Sequence, residues 1–242
     1  MPDSFNDTKN SLDKVWNTVW DFWEPDNSWN NDQGKCIEIQ NKLACFNEEH
    51  PNDPTHIDSV VKAVQRGVAL VQAAIEWQEP SIGKNKPRKL SEKLRGHQWR
   101  LVITYSGFEI TVKALMNHQQ RGIDIKVIEK FLRKCDIPEY KHLSEPRKTS
   151  SIKKWLSKED GKLAEFLGIS NGDRRIIEKW IVESQPINSW DEAIKLAKAI
   201  RNASAHGFLT ATKVEEWKLK PALCKLTHDL ASIVAYGLQK LT

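Results

Sequence analysis

The 242-residue sequence has no long apolar run and only four cysteines. No stretch approaches the roughly 20 apolar residues of a membrane-spanning helix, and the N-terminus does not resemble a signal peptide. None of the four cysteines belongs to a Cys-x-x-Cys pair, so we expect no structural zinc site and reduced thiols. Cys135 and Cys224 fall on apolar helix faces, which predicts core thiols. We expect a cytoplasmic protein with no membrane association, metal or cofactor.

Several common enzyme signatures are also missing. The sequence has no glycine-rich loop of the nucleotide-binding types and no Gly-x-Ser-x-Gly turn of the hydrolases. His228-Asp229 is half of a metal-dependent phosphohydrolase motif, but further His and Asp ligands at suitable spacing are absent. The net charge of +5 is mild, so it permits an acidic partner such as RNA without requiring one.

Apolar residues recur at helical spacing through most of the chain, and no convincing strand pattern occurs. The periodicity predicts helices over 8–23, 35–47, 56–78, 92–118, 123–135, 171–184 and 213–241, with short helical pieces between 151 and 168. Gly67 indicates close helix packing, and Pro221 predicts a kink or a restart. Ser189 and Glu192 form a capping box that starts one more helix. We therefore predict an all-α helical bundle.

A linker rich in Pro, Gly and Lys covers residues 79–91 and divides the chain into two predicted domains. Residues 1–80 form an additional N-terminal helical unit of unrecognised type, and residues 81–242 form the larger bundle. The linker carries a run of cations, which are Lys84, Lys86, Arg88 and Lys89. This run is either a solvated loop or a flexible basic arm that binds an RNA backbone, and the sequence leaves both open.

The helix that begins after Ser189 leads into a polar cluster, Arg201-Asn202-Ala203-Ser204-Ala205-His206-Gly207. Arg201 is a permanent cation whose fork of donors suits phosphate, and Asn202 adds an amide beside it. His206 can exchange protons near neutral pH. A cation, an amide and an imidazole this close together favour phosphodiester chemistry. The alternative is structural, with Arg201 and Asn202 capping a helix end.

The spacing of Arg201 and His206 sets a geometric condition. On one unbroken helix, side chains five residues apart point roughly 140° away from each other. They converge only if the helix loosens near His206, if Arg201 wraps around, or if a second subunit completes the site. Gly207 is a natural helix stop and fits the first route. A symmetric dimer fits the third.

The Arg-Asn-x-x-x-His stretch followed by Gly207 resembles the signature of the HEPN family of all-α proteins. The segment Tyr105 to Leu115 is similar to the first core helix of many HEPN domains, where an aromatic-Glu pair precedes an apolar face and a Lys. Here Glu109 is the polar residue of interest. A carboxylate on a mostly buried face usually has a partner, and Arg201 and Lys113 are equally good candidates.

The resemblance implies a metal-independent endoribonuclease that acts in antiviral defence or as a toxin. His206 would transfer protons, Arg201 would hold the phosphate, and Asn202 would orient the phosphate or His206. The family usually builds its site across a homodimer, and some members are controlled by an antitoxin that modifies a Tyr two residues after the His. Phe208 occupies that position here, so this form of control is not expected. The alternative is a non-catalytic module that binds RNA or another protein.

Overall fold

The computed structural model describes residues 5–23, 32–77, 90–120, 122–147, 150, 152–154 and 171–242. These residues form α-helices with no strand among them, apart from one isolated antiparallel bridge between Leu143 and Ile187. The predicted all-α class is confirmed. None of the helices in the described part of the chain is both long and apolar enough to traverse a membrane.

Nine α-helices follow one another along the described residues. They are α1 (Phe5–Trp23), α2 (Gln33–Ala44), α3 (Pro54–Glu76), α4 (Leu90–Leu115), α5 (Ile125–Lys134), α6 (Asn171–Ile177), α7 (Trp190–Ala205), α8 (Ala211–Glu216) and α9 (Lys220–Gln239). A π-helical turn, Glu178–Val182, continues α6. The predicted final helix is two helices, since the chain breaks at residues 217–219 and restarts with Pro221 in the first turn of α9.

The contacts divide the chain into two compact units, and each draws on separate segments of sequence. The first unit contains Met1–Ile75, Ser106–Pro138 and His228–Thr242, and the second contains Glu76–Tyr105 and Glu139–Thr227. The chain passes from one unit to the other within α4 and within α9. The expected division into domains 1–80 and 81–242 stays a prediction.

The first unit has an apolar core built on α3, with fully buried side chains along its length. These include Ile57, Val64, Val68 and Val71, and residues of other helices such as Leu12, Phe108 and Phe131. The Phe46 and Phe131 rings stack with their centroids 5.7 Å apart. Burial of such side chains contributes about 1.5–3 kcal/mol each before the entropy cost of ordering them.

In the first unit, α3 and α4 approach each other so closely that backbone meets backbone. A Cβ atom added to Gly67 would lie 2.8 Å from the carbonyl oxygen of Gly107 and against the Thr111 hydroxyl. A Cβ atom on Gly107 would lie 2.5 Å from the Gly67 carbonyl oxygen. Two glycines are therefore needed where the helices cross, and the predicted close packing at Gly67 is confirmed.

The second unit contains the N-terminal part of α4, α6, α7, α8 and the start of α9. Trp180 and Trp217 are fully buried there, so these two tryptophans belong to the core. The Trp180 indole donates a hydrogen bond to the carbonyl oxygen of Ser144 (3.0 Å), beside the bridge between Leu143 and Ile187. These bonds fix the irregular segment that precedes residue 147 against the helices of this unit.

We expect Gly67→Ala to destabilise the protein, because its methyl group must displace the Gly107 backbone. The expected loss is about 1–3 kcal/mol of unfolding free energy, measured by urea denaturation. Gly122→Ala is the matched control, since a Cβ atom there meets no other atom within 4 Å. Equal stabilities for the two variants would contradict the close crossing.

Candidate functional site

The polar cluster lies where α7 ends. Ser189 caps the N-terminus of α7, and its hydroxyl accepts from the Glu192 N–H (3.2 Å), while the Glu192 carboxylate accepts from the Asn188 N–H (3.2 Å). Burial opposes ionisation of Glu192, but its hydrogen bonds from Lys179 and Asn188 outweigh burial and lower its pKa. The Ser189 half of the predicted capping box is therefore present, whereas the Glu192 carboxylate bonds the N–H of Asn188, the residue before the cap. Both bonds fix the start of α7.

The other end of α7 closes at His206, which is its C-cap. The His206 N–H still donates to the Asn202 carbonyl oxygen (3.1 Å), and the Gly207 N–H donates to that of Ser204 (3.1 Å). Gly207 then adopts a φ of 77°, in the left-handed region that glycine enters without steric cost. Gly207 ends the helix as expected, so His206 lies at the helix end and not within an unbroken helix.

The Arg201 guanidinium contacts Tyr105 and Asn202. It lies over the ring of Tyr105, with Cζ 5.2 Å from the ring centroid, and its Nη1 donates to the Asn202 Oδ1 (2.8 Å). Arg201 and Asn202 are both half-buried. A planar guanidinium that rests on an aromatic face and meets an amide loses little further freedom when it binds an anion.

The buried carboxylate of Asp173, which belongs to no sequence motif, contacts Asn202. Asp173, in α6, is only 6% exposed. Its carboxylate lies 3.5 Å from the Asn202 Nδ2 and 3.8 Å from the Lys198 Nζ. Asn202 thus donates to Asp173 and accepts from Arg201, which fixes the orientation of its amide. In the sequence, an Asp at the start of a helix indicates only a favourable helix-end charge.

Gln98 of α4, which belongs to no sequence motif, holds the end of α7. Its side chain is buried, and its Nε2 donates to the Leu209 carbonyl oxygen and to the Ser204 hydroxyl. These two acceptors flank the turn that contains His206. A signal for Gln98 was present, because it interrupts the apolar stripe between Leu94 and Leu101.

The His206 imidazole is exposed. Within the described part of the chain, it has no hydrogen-bond or ion-pair partner. The structure therefore brings the Arg201 and Asn202 side chains into contact with each other. His206 bonds to Asn202 only through its backbone N–H, and its imidazole forms no hydrogen bond to either side chain. Phe208, two residues further on, is 44% exposed.

For two other predicted groups, a contact with this cluster stays a prediction. Glu109 is half-buried in the part of α4 that belongs to the first unit, and its pairing with Arg201 or Lys113 stays a prediction. Lys84, Lys86, Arg88 and Lys89 lie outside the residues that the structure describes. No group of three or more His, Cys, Asp or Glu side chains within metal-binding reach occurs among the described residues.

The cluster as a whole offers one fixed cation and one accessible imidazole on a single helix end. Such an arrangement can bind a phosphate group and exchange protons beside it. Comparison of the chain with protein-family models, curated proteins and solved structures finds no match.

We expect Asp173→Ala to destabilise the protein by about 1–3 kcal/mol, since Asn202 loses its acceptor and Lys198 its counter-ion. Lys198→Ala is the matched control. The Lys198 side chain is 47% exposed, so removal of this ion pair alone should cost less than about 1 kcal/mol. Urea denaturation of both variants measures the difference. An equal, small loss would show that Asp173 matters only as a partner of Lys198.

Proposed function

We propose that the protein is a metal-independent endoribonuclease of the HEPN type. One observation carries this proposal: a half-buried Arg201, fixed by Tyr105 and Asn202, lies five residues before an exposed His206 on a helix end closed by Gly207. A fixed cation can stabilise the charge that develops on the phosphate, and an accessible imidazole can transfer a proton, as metal-free cleavage of RNA needs.

In the proposed reaction, the ribose 2′-oxygen attacks the adjacent phosphorus while its proton passes to a base. The bond from phosphorus to the 5′-oxygen breaks, and that oxygen receives a proton. The products are a 2′,3′-cyclic phosphate and a 5′-hydroxyl end. His206 transfers a proton, and Arg201 stabilises the negative charge that develops on the phosphate oxygens. DNA lacks the 2′-hydroxyl and is therefore not a substrate.

Asn202 has a more specific role in this scheme than the resemblance implies. Because it accepts from Arg201 and donates to Asp173, it positions the guanidinium. Asp173 acts on Arg201 only through Asn202 and does not touch the substrate. A direct contact of Asn202 with the phosphate or with His206 stays a prediction.

A second copy of the chain would complete the site. One His206 cannot be base and acid at once, whereas a two-fold dimer supplies two imidazoles. His206 and Phe208 are exposed, which leaves this helix end accessible to a partner. We propose a homodimer that acts on cytoplasmic RNA in antiviral defence or toxin control. A regulatory protein would act by binding, because Phe208 offers no hydroxyl for modification.

One observation favours a second candidate, a non-catalytic module that binds RNA or a protein. A catalytic imidazole is normally oriented by a further group, and His206 has no such partner among the described residues. In that case Arg201 would bind an acidic partner and His206 would not take part in chemistry.

We expect His206→Ala to lower RNA cleavage by a hundred-fold or more, on the order of one lost acid–base group. Total RNA and a tRNA pool, incubated with EDTA present, measure the cleavage, and analysis of the ends tests for cyclic phosphates. His142→Ala is the control, because His142 is an exposed imidazole bonded to Asn188 and Ser144 in the same unit. Cleavage retained in His206→Ala would remove His206 from the mechanism.

We expect Arg201→Ala to weaken both cleavage and RNA binding, because Arg201 holds the phosphate. Binding is measured by fluorescence anisotropy with an RNA whose 2′-hydroxyls at the cleavage site are replaced by hydrogen. Arg201→Lys keeps the charge but loses the guanidinium fork, so it should restore binding more than cleavage. Binding that depends on Arg201, with no cleavage by the wild type, would favour the non-catalytic module.

A further inference from the structure

Cys224 differs from the other cysteines in its surroundings. Cys36 and Cys135 are buried, and Cys45 is exposed. Cys224 is half-buried at the start of α9, in the second unit, and its Sγ lies 3.3 Å from the Nδ1 of His97 in α4. The expectation that Cys224 is a core thiol is therefore wrong, because its sulfur meets a polar ring and part of the residue reaches solvent.

A thiol at hydrogen-bond distance from an imidazole can transfer its proton to the ring. The pair then exists as a thiolate beside an imidazolium, and the positive ring stabilises the thiolate. His97 is 9% exposed, so its ring is enclosed and stays close to the sulfur. The thiolate is the nucleophilic form of cysteine, whereas the neutral thiol reacts slowly.

The titratable residues one turn away from this pair on its own two helices include no carboxylate. On a helix, side chains three or four residues apart lie on the same face. The titratable residues at these positions around His97 and Cys224 are Lys93, Arg100, Lys220 and His228. None of them is a carboxylate, so no group one turn away on either helix opposes a negative sulfur.

Burial disfavours the thiolate form of the other three cysteines. Burial raises the pKa of Cys36 and of Cys45, and it raises the pKa of Cys135 to about 12. Near neutral pH these three cysteines are therefore almost entirely protonated. We therefore expect the reactive thiolate at that pH to be Cys224, which has the His97 imidazole beside it.

We propose that Cys224 and His97 form a nucleophilic thiol–imidazole site that undergoes exchange with low-molecular-weight disulfides. His97 takes the Cys224 proton, and the thiolate attacks one sulfur of the disulfide. A new bond forms between Sγ and that sulfur, the original sulfur–sulfur bond breaks, and the second sulfur leaves as a thiolate that accepts the proton from His97. Cys224 is oxidised to a mixed disulfide, and half of the disulfide is reduced to a thiol.

This site is independent of the proposed ribonuclease activity, and its test does not require RNA. The full-length protein is reacted with dithiodipyridine, a small neutral disulfide, between about pH 5 and pH 9, and peptide mapping by mass spectrometry assigns the rate to each cysteine. We expect Cys224 to react first. We expect its rate to change by less than about three-fold between pH 6 and pH 8, while an ordinary thiol slows about ten-fold per pH unit below its pKa.

The variant His97→Gln tests the base and keeps a polar side chain of similar reach. We expect it to slow Cys224 about ten-fold or more at pH 7 and to restore the ten-fold slope per pH unit. His142→Gln, which changes an exposed imidazole elsewhere in the unit, should leave the Cys224 rate unchanged. An unchanged rate of Cys45 and an unchanged helical circular dichroism signal show that His97→Gln is folded.

The proposal is overturned if Cys45 reacts before Cys224 in the wild type. A wild-type Cys224 rate that falls ten-fold per pH unit over the whole range also overturns it. Neither measurement needs a variant, so the proposal can be rejected even if His97→Gln does not fold. An unchanged Cys224 rate in a folded His97→Gln variant would show that the imidazole does not activate the thiol.

Discussion

The buried carboxylate of Asp173 determines how the polar residues at the end of α7 are arranged. A carboxylate at 6% exposure is costly unless it is hydrogen-bonded or paired, and Asn202 and Lys198 supply these partners. The Asn202 amide must turn its NH₂ group towards Asp173, so its oxygen remains for Arg201. The position of the guanidinium thus depends on a residue about thirty positions away in sequence, which explains why a short motif alone does not define the site.

Within the second unit, helix α4 supplies the side chains that contact Arg201, the end of α7 and Cys224. It contributes the Tyr105 ring beneath Arg201, the Gln98 amide at the end of α7, and the His97 imidazole beside Cys224. His97, Gln98 and Tyr105 are buried, although each has a polar group. Buried polar groups of this kind need partners with defined geometry, and so they restrict the helix to one register.

The helices could be predicted from sequence because they depend on local periodicity and caps. The Ser189 cap, the Gly207 stop and the restart at Pro221 are all short-range signals, and the structure contains each of them. Asp173, Gln98 and the pairing of Cys224 with His97 could not be predicted, because they depend on which helices become neighbours. Gln98 left a partial signal as a polar residue on an apolar stripe, whereas Asp173 and Cys224 left none.

Gly207 combines an unusual backbone with open surroundings. A Cβ atom at this position would meet no atom within 4 Å, yet the φ of 77° is one that residues with a side chain rarely adopt. There is therefore space for a side chain at position 207, but the backbone conformation disfavours an L-residue there. Replacement by D-alanine, made by chemical ligation, would suit this backbone and L-alanine would not, although the two side chains are identical in size. The configuration at the Cα of residue 207, and not the size of its side chain, would thus determine how well the helix ends at His206.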